Sequence, residues 1–157
     1  MKSKSVEKVR QYFKDNGLDI SVVELDKSTR TAQLAAEAIG TELGSIVKSL
    51  LFLADGKPAL VLVAGDRRAD IKKLAQALKA KKVKIADADT VRAETGFAIG
   101  GVPPVGHHTP LPTIIDRSLS RFETVYAAAG APNAVFPIAY DVLLQITAGQ
   151  VADVTED

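Results

Sequence analysis

Two β-prone apolar runs, VKSLLFL at 47–53 and ALVLVA at 59–64, lie so close together that Asp55-Gly56 between them must reverse the chain. Asp-Gly is the chemistry of a tight turn, so the spacing predicts an antiparallel hairpin. Neither run alternates apolar with polar residues, and both strands are expected to be buried on both faces. One such hairpin already argues against a doubly wound parallel sheet and for a mixed α+β one.

The segments around the hairpin support that class. Val6, Val9, Tyr12 and Phe13 follow Ser5 at helical spacing, and Gly17 is placed to stop the helix. ISVVEL at 20–25 reads as a strand. Thr31 can cap a helix over AQLAAEAI that Gly40 ends, and Thr41 starts a short turn through Leu43 and Ile46. After the hairpin, Asp66 is positioned to cap a helix through about Leu78, with Ile71, Leu74, Ala75 and Leu78 on the 3.6-residue period. A short strand KVKIA and a helix over 87–95 stopped by Gly96 follow. Strands are expected near TIID, TVYAAA, AVFPI and VADV, with a turn at GAPN and a helix from Asp141 to about Thr147.

The chain has 157 residues, 46% of them hydrophobic, enough for a single domain spanning 1–157 with a core of its own. It contains no cysteine, which excludes disulfides, thiolate metal sites and a cysteine nucleophile. MKSKSVEKVRQYF lacks the apolar run of a signal peptide, and no stretch of about 18 apolar residues occurs, so a soluble cytoplasmic protein without membrane attachment is expected.

Formal net charge is only +1, but its distribution is uneven. Between 67 and 84, Arg67, Arg68, Lys72, Lys73, Lys79, Lys81, Lys82 and Lys84 face the single acid Asp70, whereas 141–157 carries four acids and no Lys or Arg. A basic flank of this kind can track a nucleic-acid backbone, or it can be a solvated helix face.

Chemistry is concentrated in two places. Gly96-Phe97-Ala98-Ile99-Gly100-Gly101-Val102-Pro103-Pro104-Val105-Gly106 combines glycines, which permit close approach of a ligand to backbone amides, with prolines that stiffen the loop. Such a loop can present N–H groups to an oxyanion, or serve as a stiff connector; it matches neither nucleotide-binding glycine motif. Lys48 interrupts an apolar strand, on the face of Leu50 and Phe52, and its ammonium must reach water or an anionic partner. His107 and His108 are adjacent and would diverge in an extended loop, which is poor geometry for one metal ion. No GxSxG elbow is present.

In order along the chain, IVKSLLFL, LVLVAGDRRADIKKLAQAL, KKVKIADADTVRAETGFAIGGVPPVGHHTPLPTIID and AGAPNAVFPI resemble the YbaK/EbsC family, free-standing relatives of the editing insertion domain of bacterial prolyl-tRNA synthetase. The resemblance covers roughly residues 5 to 154, and the GFxxGGxxPxG stretch with the downstream LPTIID makes it specific. It implies an α+β fold with a curved, mixed, largely antiparallel sheet surrounded by helices. It implies an aminoacyl-tRNA deacylase acting in trans on tRNA, tRNA(Pro) foremost, mischarged with a small amino acid such as Cys, Ala, Ser, Thr or 2-aminobutyrate. No cofactor and no metal are implied.

The family's lysine falls on Lys48, which would hold the terminal ribose-phosphate. Its glycine loop falls on Gly100, Gly101, Val102, Pro103 and Gly106, with His107 next in line, and these would surround the aminoacyl ester. Lys48, Gly100 and Gly101 are the catalytic candidates, with the two glycine amides polarising the ester carbonyl. Val102, Pro103, Gly106 and His107 are the substrate-binding candidates, and Arg67, Arg68, Lys81 and Lys82 those for tRNA. A tyrosine found early in some YbaK-type members has no counterpart in ISVVELD, and the chain has His107-His108 after Gly106, so the preferred amino acid stays open.

The modest net charge suggests weak tRNA binding unaided, and recruitment by prolyl-tRNA synthetase would supply the rest. Two other readings use the same residues: a module that binds the tRNA 3′ end without turnover, and a hydrolase of a small ester for which the basic segment is irrelevant.

Overall fold

The computed structural model describes residues 4–25 and 31–157. At its centre is the hairpin of β2 (Ile46–Ala54) and β3 (Lys57–Ala64), preceded in the chain by α1 (Lys4–Asp15), β1 (Val23–Glu24) and α2 (Ala32–Ile39). Asp55 (φ 50°) and Gly56 (φ 82°) both take the left-handed conformation, as a two-residue type I′ turn requires. The Asp55 carboxylate also accepts the amides of Lys81 and Lys82, tying the turn to the next strand.

Downstream come α3 (Ile71–Leu78), β4 (Val83–Ile85), α4 (Ala88–Thr95), β5 (Thr113–Asp116), β6 (Thr124–Ala128), β7 (Ala134–Ala139), α5 (Tyr140–Thr147) and β8 (Gln150–Ala152). The strands form one sheet in the order β1-β7-β6-β2-β3-β5-β8, with β4 paired to β2 off this path. Pairs β1–β7, β2–β3, β2–β4 and β6–β7 are antiparallel, and β2–β6, β3–β5 and β5–β8 are parallel. The mixed α+β class read from the hairpin is the class observed.

Both faces of β3 are covered. Leu60, Leu62 and Ala64 enter a core with Val9 and Phe13 of α1, Val91 of α4 and Leu143 of α5, while Val61 and Val63 pack with Leu74 of α3 on the other side. Phe13 meets Phe136 of β7 edge-on, ring centroids 4.9 Å apart. Each fully buried aliphatic side chain contributes about 1.5–3 kcal/mol, which is why β3 tolerates no polar residue from Ala59 to Ala64. β2 differs from the expectation: Lys48, Ser49 and Leu50 are only partly buried, because one edge of the strand opens onto a cavity.

Two boundaries also differ. ISVVEL forms a ladder only at Val23 and Glu24, opposite Val135 and Ala134, while Ile20 and Val22 pack on the core from irregular chain. α3 is capped by Asp70, whose carboxylate accepts the amides of Lys72 and Lys73, and not by Asp66. Asp66 is drawn instead to Arg121, which grips both its oxygens at 2.7 and 3.0 Å. Elsewhere the caps follow the sequence: Thr31 and Gly40 bound α2, and Asp87 and Gly96 bound α4.

Candidate active site

β2 is paired to β6 only at Ile46 and Val47 and to β4 only from Phe52 onward, so its edge carries no strand at Lys48–Leu51. The Ile46 carbonyl accepts the Gly65 amide on the β3 side, and the Leu51 carbonyl accepts the Ala86 amide on the opposite side. Backbone polar groups alternate along an antiparallel strand, so the N–H and C=O of Ser49 face the gap. A cavity of about 520 Å³ occupies this gap, a size suited to a small-molecule or nucleotide-end ligand. Val47, Leu51, Val91, Val102 and Ala127 make most of its inner wall apolar.

Side chains on the two faces of the open edge differ in kind. Ser49 lies on the side of Val47 and Leu51, toward the larger core. Lys48 lies on the other and donates its ammonium to the carbonyl of Arg67 in the turn after β3. Partial burial pulls the Lys48 pKa below its ordinary 10.5, neighbouring Arg68 pushes the same way, and Asp66 opposes them. Asp66 is itself held below the usual carboxylate range, chiefly by its hydrogen bond from Arg121. Lys48 lines the cavity, and Arg67 and Arg68 lie next to it in the turn after β3 without being part of the lining. Lys81 and Lys82 are placed elsewhere, at the turn end of the hairpin beside Asp55.

The glycine-rich loop closes another side through Ile99, Gly100 and Val102. Gly100 (φ 89°) has a conformation suited to glycine. At Gly101 the constraint is space: a Cβ there would lie 2.8 Å from the Ala131 backbone nitrogen and 2.9 Å from the Gly130 carbonyl carbon. The Gly101 carbonyl accepts the Gly130 amide at 2.9 Å, and the Gly101 amide donates to Ala98 at 3.0 Å. The Gly101 amide is thus bonded within a local turn, and of the candidate glycine-loop residues it is Gly100 and Val102 that line the cavity.

Pro103, Gly106 and His107 are not among the residues that line this cavity. His107 Nε2 is 2.6 Å from the Pro103 carbonyl, and burial lowers its pKa, which favours the neutral ring donating to that carbonyl. A Cβ at Gly106 would touch the Tyr12 ring at 3.4 Å, so α1 backs the loop. The His108 amide donates to Thr95 at the end of α4. Among the described residues no cluster of His, Cys, Asp or Glu could hold a metal ion, and none of the described lining residues carries a carboxylate or an imidazole.

Thr31, Tyr126 and Ser49 also line the cavity, although the sequence points to Thr31 only as a helix cap and to neither of the others as a site residue. Ser49 had a visible signal, as the one hydroxyl in VKSLLFL, one residue after Lys48.

A family model described as "Aminoacyl-tRNA editing domain" matches residues 26–146. YwhH of Bacillus subtilis (strain 168) is 34% identical over 155 residues, 98% of each chain. The "Putative Cys-tRNA(Pro)/Cys-tRNA(Cys) deacylase EbsC" of Enterococcus faecalis is 30% identical over 80% of this chain and 77% of its own. A crystal structure described as "a putative trans-editing enzyme for prolyl tRNA synthetase" superposes with a TM-score of 0.95, at 44% identity over the whole of both chains. With the match spanning both walls of the cavity, from Lys48 to the glycine loop and β6, this chain belongs to the aminoacyl-tRNA editing domain family.

Proposed function

We propose that the protein is a trans-editing deacylase that hydrolyses the ester of tRNA mischarged with a small amino acid, tRNA(Pro) being the preferred carrier. The observation that carries this reading is the open edge of β2, where a cation, Lys48, and a glycine-rich loop border the same cavity. Lys48, with Arg67 and Arg68 beside it, holds the phosphate and ribose of the terminal nucleotide. The aminoacyl group enters beneath Gly100 and Val102. Water attacks the carbonyl carbon, the Gly100 and Val102 amides stabilise the oxyanion, and the bond to the ribose oxygen breaks as that oxygen takes up a proton from the attacking water, releasing the free amino acid and the tRNA terminal hydroxyl. Positioning and oxyanion stabilisation supply the rate enhancement without a covalent side-chain intermediate.

Gly101, Pro103, Gly106 and His107 act by fixing the loop. Prolyl-tRNA synthetase is the proposed partner, since the molecule's near-neutral charge gives weak tRNA affinity alone. The test is amino-acid release from tRNA charged with alanine, cysteine, serine, threonine and proline at substoichiometric protein. Multiple turnovers on a mischarged member, with prolyl-tRNA spared, are expected. Tight binding without release would instead identify a 3′-end binding module.

A further inference from the structure

We propose that Ser49 selects a hydroxyl-bearing aminoacyl group, seryl or threonyl, in this cavity, an inference that rests on the deacylase reading above. The Ser49 Oγ is a buried side-chain oxygen with no hydrogen-bond partner among the described residues. Buried hydroxyls are almost always paired, so an orphan on a residue that lines a cavity is a candidate for pairing by a ligand. Its surroundings give no structural reason for a hydroxyl. Val47 and Leu51 flank it on the same strand face, Val91 and Val102 share the lining, and an alanine would satisfy the packing of this apolar wall.

Position selects which part of the substrate meets it. Lys48, Arg67 and Arg68 lie on the opposite face of β2, where the anionic nucleotide belongs. Ser49 lies on the core side with Val47 and Leu51, across the strand from Lys48, where the aminoacyl group would enter. Ser49 lines the cavity while its Oγ is itself buried, so the proposed contact requires the hydroxyl to turn about χ1 toward the ligand as it enters. A methyl or ethyl group arriving there leaves Oγ unpaired, whereas a hydroxymethyl group pairs it. A site built around a hydroxyl rejects analogues that lack one more strongly than an apolar pocket separates methylenes.

The cleanest comparison is seryl-tRNA against 2-aminobutyryl-tRNA, whose side chains differ by a hydroxyl in place of a methyl. The wild-type protein is expected to favour seryl by about tenfold or more in kcat/KM, the equivalent of one neutral hydrogen bond. In Ser49→Ala this ratio falls to near one, and in Ser49→Thr, which keeps the hydroxyl, it is retained. Binding of amide-linked, non-hydrolysable 3′-seryl and 3′-(2-aminobutyryl) aminoadenosine reads the same ratio without turnover. Turnover with a ratio near one in the wild type, or an unchanged ratio in folded Ser49→Ala, overturns the role of Ser49 and leaves the deacylase standing. A retained binding preference with no release from any ester overturns the deacylase and leaves Ser49 as the selector. If Ser49→Ala fails to fold, the wild-type ratio and Ser49→Thr decide.

Discussion

The ammonium of Lys48 is held by the carbonyl of Arg67, so the one cation set into the central strand is aimed by the turn that leaves the hairpin. The same turn carries Asp66 and Arg68, which pull the Lys48 pKa in opposite directions. Anion binding and charge state at this edge are therefore set together.

Titration of Lys48 makes substrate binding depend on pH. Because its folded pKa lies below 10.5, Lys48 loses its proton, and with it anion affinity, at a lower pH than an ordinary lysine. KM for aminoacyl-tRNA is expected to rise on the alkaline side below pH 10.5, and Asp66→Asn, by removing the group that raises the pKa, shifts this limb to lower pH. The unfolded chain binds more protons than the folded one in that window, so the Lys48 contribution to stability increases as pH rises through it. pH profiles of KM for wild type, Asp66→Asn and Lys48→Ala check the assignment; an unshifted limb in Asp66→Asn contradicts it.

His107 gives a second titration, read in stability. Burial holds its folded pKa below 6.5, so on acidification the unfolded chain takes up the proton first and stability falls. The loss occurs below about pH 6.5, toward the folded value, and is absent in His107→Gln. Chemical denaturation of both proteins between neutral and mildly acidic pH measures it.

Gly101→Ala tests the seating of the loop. Its Cβ would meet the 130–131 backbone below 3.0 Å, where no flexible side chain can yield. Overpacking of this kind costs about 1–3 kcal/mol, and the displaced loop should also lower kcat. Thermal unfolding and deacylation rates of the variant, with wild type beside it, report the two effects.

Charge reversal separates a tRNA substrate from a small ester. Arg67→Glu with Arg68→Glu is expected to weaken tRNA binding and flatten its dependence on salt by roughly 0.7–0.9 in log–log slope for each phosphate no longer neutralised. Lys81→Glu with Lys82→Glu does the same if the tRNA extends to the turn end of the hairpin. Unchanged kcat/KM for aminoacyl-tRNA in both double variants would point to a small-molecule ester.

Local chemistry makes much of the architecture legible in the amino-acid sequence. Asp55-Gly56 fixes the hairpin, and Asp87 with Gly96 bounds α4, because turns and caps are decided within a few residues. The competition between Asp66 and Asp70 is not legible there, since both precede the same apolar pattern and the deciding partner, Arg121, is 55 residues from Asp66. The candidate site divides similarly. Lys48 and the glycine loop announce themselves by composition. The open edge that unites them with Ser49 depends on where β6 and β4 stop pairing with β2, a non-local register that no motif encodes. The bonds of the Gly101 amide to Ala98 and of the His107 ring to Pro103 depend on loop geometry that glycine and proline content alone leaves open.

The most direct test of the account is deacylation of a mischarged small-amino-acid tRNA by catalytic amounts of wild type and Lys48→Ala, with folding verified by thermal melt. Removing one charge-assisted hydrogen bond at the bound nucleotide should lower kcat/KM by at least about tenfold and up to about 100-fold, with the melt unchanged. A folded Lys48→Ala protein that deacylates at the wild-type rate would contradict the assignment of this edge as the active site.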